Sequence, residues 1–526
     1  MTQAGSSTKD PDPDAGHTYS ADLGRSNWWI SRHNAVVTLA AASVTPILYV
    51  LFVDHYAINS FFGDDWSVVL LVHASLHGHL SWSQLWGQYN ESRLFMGNIV
   101  SVLLARADRF DLRLAILFNA ILFIAAYGVL LALLRQYLGR RLTPILVLVI
   151  GVIWFSPADV QNSLWAFQIS WYLTVLCFMV VLFALFVPNR HRTLWFAVAV
   201  TAASAASLST VQGFLCWPLG AICIAWSQPW ARRAMIETTV WLGTMILLLA
   251  LYLPGYNFSN NGCFPAATCS PRVAFHHPLT ALTFFFAVIG NVIPGGVVNP
   301  VHNFARFEVV GAVLFAAAVF ILVRSWHSRV SADRTPLPFL LIAFALAFDL
   351  TIALGRSASG ASGAVNNNRY VMANLILLTG IVIYAWSFVP ALQLPPTDWT
   401  PRFYATVLTL LSLAILVVIQ TAVAIGFGQK DGQASEASRI ESAQLLINQD
   451  SVPSQYRGCE LYAEFFEQPG LTILRVREAA EDQLGEFRPS SYERYRIDGP
   501  PSPALFPECS KTPATTRPQI KGSGMH

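Results

Sequence analysis

The chain has 526 residues, of which 54% are apolar and only 12% charged, against about 25% charged in an ordinary soluble domain. With a mean hydropathy of +0.48, these values exclude a soluble multidomain enzyme and a disordered scaffold and point to a polytopic membrane protein. Basic and acidic residues nearly balance, 33 against 30 for a net charge of +3, so nothing in the charge suggests nucleic acid as a partner. Lysine occurs only at Lys9, Lys430, Lys511 and Lys521, an arginine-for-lysine skew that suits a GC-rich bacterial genome.

Residues 1–33 are polar, carry Pro11 and Pro13, and have no apolar core. They read as a disordered cytoplasmic tail and not as a signal peptide, because the apolar run from Asn34 to Val53 is long enough to cross a bilayer core of about 30 Å. Arg25 and Arg32 precede that run and place the N-terminus in the cytoplasm. Further long apolar runs lie near Leu112–Leu134, Thr143–Phe155, Ser163–Val187, Leu194–Ser209, Val211–Trp226, Ile236–Pro254, Glu308–Val323, Pro338–Leu354, Tyr370–Pro390 and Arg402–Phe427. These predict about eleven transmembrane helices in an all-α domain spanning 34–427.

Two stretches, Leu94–Ala107 and Leu279–Ile293, are shorter than the roughly 20 residues a span requires. Reading neither as a span puts the arginine-bearing loops (Arg135/Arg140/Arg141, Arg190/Arg192, Arg232/Arg233 and Arg324/Arg329/Arg334) on one side. Both are therefore expected as helices on the outer membrane surface. An odd number of spans puts the C-terminus outside. Residues 428–526, polar and rich in proline, read as a small extracytoplasmic domain. Cys177, Cys216 and Cys223 fall inside spans as small buried hydrophobes. Cys263 with Cys269, and Cys459 with Cys509, fall in outer segments, where an oxidising compartment favours disulfides.

Polar residues gather on the expected outer face. The first outer loop carries Asp64-Asp65-Trp66, then His73, His77 and His79, then Asn90-Glu91-Ser92-Arg93. A later outer loop carries Asp159, Gln161, Asn162 and Gln168, and another carries Arg356 and Asn366-Asn367-Asn368-Arg369-Tyr370. Asp349 lies inside a span, where a lipid-facing carboxylate costs about 2.5–3.5 kcal/mol, so a wet cavity is expected there. Adjacent carboxylates at the exit of a span suit general-base work, and Trp66 is expected to anchor the pair at the headgroup level. Outward-facing Arg356 and Arg369 break the positive-inside pattern and match lipid phosphate by their guanidinium forks. The histidines call for no metal unless aspartates join them. No nucleotide-binding motif occurs, which argues against an ATP-driven pump.

One N-terminal span, an acidic pair in the first outer loop, surface helices and many further spans together resemble the GT-C glycosyltransferases, which include the protein O-mannosyltransferases and the aminoarabinose-lipid A transferases. The sequence also resembles actinobacterial members with Asp-Asp-Trp, Asn-Glu-His, Leu-Trp-Ala-Phe-Gln and Arg-Tyr motifs. Here these stand as Asp64-Asp65-Trp66, Asn90-Glu91-Ser92, Leu164-Trp165-Ala166-Phe167-Gln168 and Arg369-Tyr370, with serine in place of the histidine.

The resemblance spans 34–390 and implies a polyprenyl-phosphate-linked sugar as donor and a hydroxyl of a cell-envelope glycan, glycolipid or protein as acceptor, at a bacterial plasma membrane. It implies Asp64 or Asp65 as general base, inversion at the sugar, and leaving-phosphate stabilisation by Arg369 and Arg356. Glu91 and Arg93 would orient the acceptor or the acidic pair, Asn162 and Gln168 would bond sugar hydroxyls, and Tyr370 would line the site. The scheme requires no metal or other cofactor, and the carboxylate pair near histidines leaves a divalent metal open. The competing expectations are a lipid-linked glycan flippase, which calls for midplane charges and matched broken helices in two halves, and a non-catalytic envelope-assembly protein.

Overall fold

The computed structural model describes residues 17–186, 191–227, 232–259, 270–295, 304–328, 336–388, 401–448 and 469–496. Cys263, Cys269, Cys459 and Cys509 lie outside them. Cys177 is partly buried, and Cys216 and Cys223 are buried.

Helix α1 (His17–Tyr56) begins well inside the stretch expected as a tail and carries Pro46. Three short elements follow: α2 (Asp65–Leu76), α3 (Trp82–Trp86) and an antiparallel hairpin of β1 (Gln88–Tyr89) and β2 (Ser92–Arg93). Ser81 and Gln84 form a reciprocal cap on α3, satisfying two otherwise orphaned donors. Asn90 turns the hairpin at φ +49°, a left-handed conformation that asparagine tolerates better than most residues.

Next come α4 (Phe95–Asp108), α5 (Leu112–Leu138) and α6 (Pro144–Trp154). Asp111 caps α5, and Thr143 with Pro144 starts α6, as helix N-termini require. The chain continues through α7 (Val160–Ser163), α8 (Ile169–Phe186), α9 (Arg192–Ser207), α10 (Cys216–Ser227) and α11 (Arg232–Tyr252). After α12 (Pro271–His276) and α13 (Pro278–Gly290) come α14 (Ala305–Ser328), α15 (Leu337–Arg356), α16 (Gly360–Val365) and α17 (Val371–Trp386). The last helices are α18 (Pro401–Ile447), α19 (Pro469–Glu481) and α20 (Pro489–Tyr495).

Nine helical segments among the described residues are long and apolar enough to cross a membrane, and the fold is an all-α polytopic membrane protein. The difference from eleven lies in α9 and α10, of 16 and 12 residues, where two spans were expected. A 16-residue helix reaches only about 24 Å. Between the two helices Gly213 packs directly on the Ala206 carbonyl, where any Cβ would collide. Helices α4 and α13, at 14 and 13 residues, are shorter than a span.

The expected boundary at 428 falls inside α18, which runs unbroken to Ile447. Within this stretch Gly432 leaves room for the Tyr56 ring of α1. Small residues also let the spans approach elsewhere: Gly290 of α13 sits against Phe307 of α14, and Gly311 of α14 against Phe286. Close backbone approach is how helices associate where lipid is as apolar as the side chains.

Candidate active site

The acidic pair begins α2, and the Leu-Trp-Ala-Phe-Gln motif about a hundred residues further along the sequence holds it in place. Phe62 O accepts a bond of 3.0 Å from Trp165 Nε1, and Asp65 Oδ1 accepts one of 2.8 Å from the Phe167 backbone N–H. Gly63, at φ +50°, lets the backbone lie on the Trp165 ring, where a Cβ would sit 3.1 Å from Cζ2. Asn119 of α5 donates to the Trp165 and Ala166 carbonyls, fixing the Leu-Trp-Ala-Phe-Gln turn from behind.

The two aspartates differ. Asp65 is 1% exposed, and its second oxygen accepts the Phe62 N–H at 3.1 Å. Burial pushes its carboxyl up to about 7, and nearby Arg439 of α18 partly offsets this. Asp64 stays about a quarter exposed. Its Oδ1 accepts a 2.6 Å hydrogen bond from the Tyr89 hydroxyl, and its Oδ2 lies 3.9 Å from Arg369 Nη1. Trp66 is buried against Phe61, ring centroids 4.5 Å apart. It is a core residue and not the expected headgroup anchor, because α2 turns its first face onto the protein.

Arg369 lies over the Trp165 and Tyr370 rings, its guanidinium carbon 5.9 and 5.6 Å from their centroids. Its backbone is held from the other loop: Arg369 N–H donates to Gln161 Oε1, and Arg369 O accepts from Asn162 Nδ2 at 2.7 Å. Asn162 also donates to Asp159. Tyr370 is buried and stacks on Trp171, and Gln168 is buried where α8 begins.

Two further expected site residues are tied to the protein itself. Arg356, at the end of α15, forms a two-pronged pair with Glu91, at 2.9 and 2.8 Å. Arg93 is 6% exposed, and its guanidinium donates to the carbonyls of Trp86, Tyr252 and Pro254. It clamps the hairpin to the end of α11. Asp349 is wholly buried in α15 with neither oxygen hydrogen-bonded among the described residues. His73 and His77 meet Asp482 of the C-terminal segment, not the acidic pair, and His79 is exposed.

Sequence reasoning did not single out Tyr89, Arg439 or Asp482. Tyr89 had the clearest signal, standing in the hairpin directly ahead of Asn90-Glu91.

Fold and site together define an all-helical, multi-pass membrane protein with a partly exposed carboxylate, flanked by a tyrosine and an arginine, where its helix ends meet. No family model matches the chain, and no curated protein matches it. Among solved structures it is similar to ArnT from Cupriavidus metallidurans in the apo state, at 15% identity over 81% of this chain and 82% of that one, with a TM-score of 0.42.

Proposed function

We propose that this chain is a membrane glycosyltransferase of the GT-C kind, moving a sugar from a polyprenyl-phosphate donor to a hydroxyl of a cell-envelope glycan, glycolipid or protein on the outer face. The observation that carries this reading is the contrast within the acidic pair: Asp64 is partly exposed between Tyr89 and Arg369, while Asp65 is sunk against two backbone N–H groups.

Asp64 then acts as the general base. It takes the proton of the acceptor hydroxyl as that oxygen attacks the anomeric carbon. The bond from carbon to phosphate oxygen breaks, its electron pair stays on the phosphate, and the sugar configuration inverts. A positioned base contributes about 10²–10⁴-fold. Arg369, with Nη1 3.9 Å from Asp64 Oδ2, is the cation that stabilises the departing phosphate, since its guanidinium fork matches phosphate oxygens. Asp65 is a positioning residue that holds the turn presenting Asp64. Glu91 and Arg356 brace the hairpin that carries Tyr89.

Purified protein in lipid, offered a panel of labelled polyprenyl-phosphate sugars with a cell-envelope extract, tests this. Label should pass to the extract with wild type and fall by about 10²–10⁴-fold with Asp64→Asn, at equal folded yield. Unchanged transfer in Asp64→Asn would remove the base assignment. Labelled lipid that changes leaflet without transfer would replace the enzyme by a flippase.

A further inference from the structure

The C-terminal segment reaches back onto α2 at one place that the transfer reaction does not use. His73 Nδ1 lies 2.7 Å from Asp482 Oδ2 and His77 Nε2 lies 3.0 Å from Asp482 Oδ1. The three ligand-type atoms lie within 4.8 Å of one another, and the two imidazole rings pack with centroids 4.4 Å apart. His77 caps the C-terminus of α2, one turn after His73. Glu478 stands one turn before Asp482, whose backbone N–H bonds to the Glu478 carbonyl. The Glu478 carboxylate interacts with His73, and its Oε2 is buried without a hydrogen bond among the described residues.

We propose that His73, His77 and Asp482, with Glu478 as the fourth donor, form a binding site for a divalent transition metal that fastens the C-terminal segment to α2. Two imidazole nitrogens with carboxylate oxygen suit zinc and its neighbours and do not suit magnesium or calcium. In a tetrahedral zinc site, bonds of about 2.0–2.2 Å separate neighbouring ligand atoms by about 3.3 Å. The nitrogen–oxygen spacings of 2.7 and 3.0 Å must open by about 0.6 and 0.3 Å to reach this, and no ligand pair starts farther apart than 4.8 Å. His73 lies about 12 Å along α2 from Asp65, so the metal would stiffen the helix that presents the acidic pair without touching the reacting atoms.

The test is metal binding by the full chain in lipid nanodiscs, stripped with chelator and titrated with Zn²⁺, with Mg²⁺ in parallel. Its readout is independent of sugar transfer, so it stands whatever becomes of the glycosyltransferase reading. Wild type should bind about one Zn²⁺ per chain and no Mg²⁺ at the same site. His77→Gln and Asp482→Asn should each weaken Zn²⁺ binding by at least about tenfold, given that loss of even an outer-shell partner costs about 10–100-fold. The Co²⁺-loaded wild type should show the visible bands of a tetrahedral ion, lost in both variants. His77 is the more exposed of the two histidines, so His77→Gln carries the test if Asp482→Asn does not fold. Absence of stoichiometric Zn²⁺, or equal Zn²⁺ affinity in wild type and His77→Gln, would overturn the site and leave a hydrogen-bonded clasp.

Discussion

Asp64 and Asp65 are neighbours in sequence, yet their surroundings give them different work. Asp65 is buried and its carboxyl is raised to about 7 from an ordinary 3.8, so between those values the folded chain holds a proton that the unfolded chain has released. Stability contributed by that proton is complete below about pH 4 and lost as pH rises towards 7. Melting temperature followed in detergent from pH 4 to 8 should therefore fall across this window in wild type, and the fall should be smaller in Asp65→Asn. Identical slopes in the two proteins would assign the pH dependence to other groups. Tyr89 supplies a hydrogen bond of 2.6 Å to Asp64, and a bond to a charged group is worth about 1.5–3 kcal/mol. Tyr89→Phe loses that bond and the orientation it gives the base, so it should slow transfer by roughly 10–100-fold and lower the melting temperature by no more than the loss of one such bond. An unchanged transfer rate would separate Tyr89 from the base.

Helices, turns and one small hairpin set these residues in place, and they differ in how far sequence could reveal them. Apolar runs show spans because each run is local; the motifs containing Asp64, Gln168 and Arg369 stand out because polar residues at span ends are conspicuous. The break between α9 and α10 was legible in the polar residues Ser207, Ser209, Thr210 and Gln212, whereas the close seat of Gly213 on the Ala206 carbonyl depends on packing that no local run shows. The partners of Arg93 were hidden because they are set by the fold. They are backbone carbonyls, two of them about 160 residues away, and a carbonyl leaves no mark in a sequence. That environment makes its own prediction. Lysine has neither the planar fork nor five donors, so Arg93→Lys should leave buried carbonyls unpaired at about 1–3 kcal/mol each. Thermal unfolding of Arg93→Lys should show a clear drop in melting temperature at neutral pH, and a melting curve overlying wild type would show that the clamp is dispensable.

Across the whole molecule, the C-terminal segment closes onto the first loop from more than 400 residues away. Glu486, fully buried, accepts the Phe61 N–H at 3.0 Å, and Asn59 donates to the Gly485 carbonyl and to Ser491. Arg488 pairs with Asp111, the residue that caps α5, and Gly485 sits against the Phe61 ring. Residues 59–65 are therefore held on one side by the Leu-Trp-Ala-Phe-Gln turn and on the other by the segment 485–491, and Asp64 projects from between them. If both holds are needed, weakening the second should loosen the first loop even though no residue near Asp64 has changed. Hydrogen exchange of the amides from 59 to 66 should be faster in Glu486→Ala/Arg488→Ala than in wild type, since loop amides exchange by local opening, while exchange in α5 and α8 beyond their first turns stays the same. Transfer should fall together with that protection. Faster exchange with full transfer would mean that Asp64 needs only the Trp165 side of its support, and unchanged exchange would mean that the C-terminal segment rests on the loop without holding it.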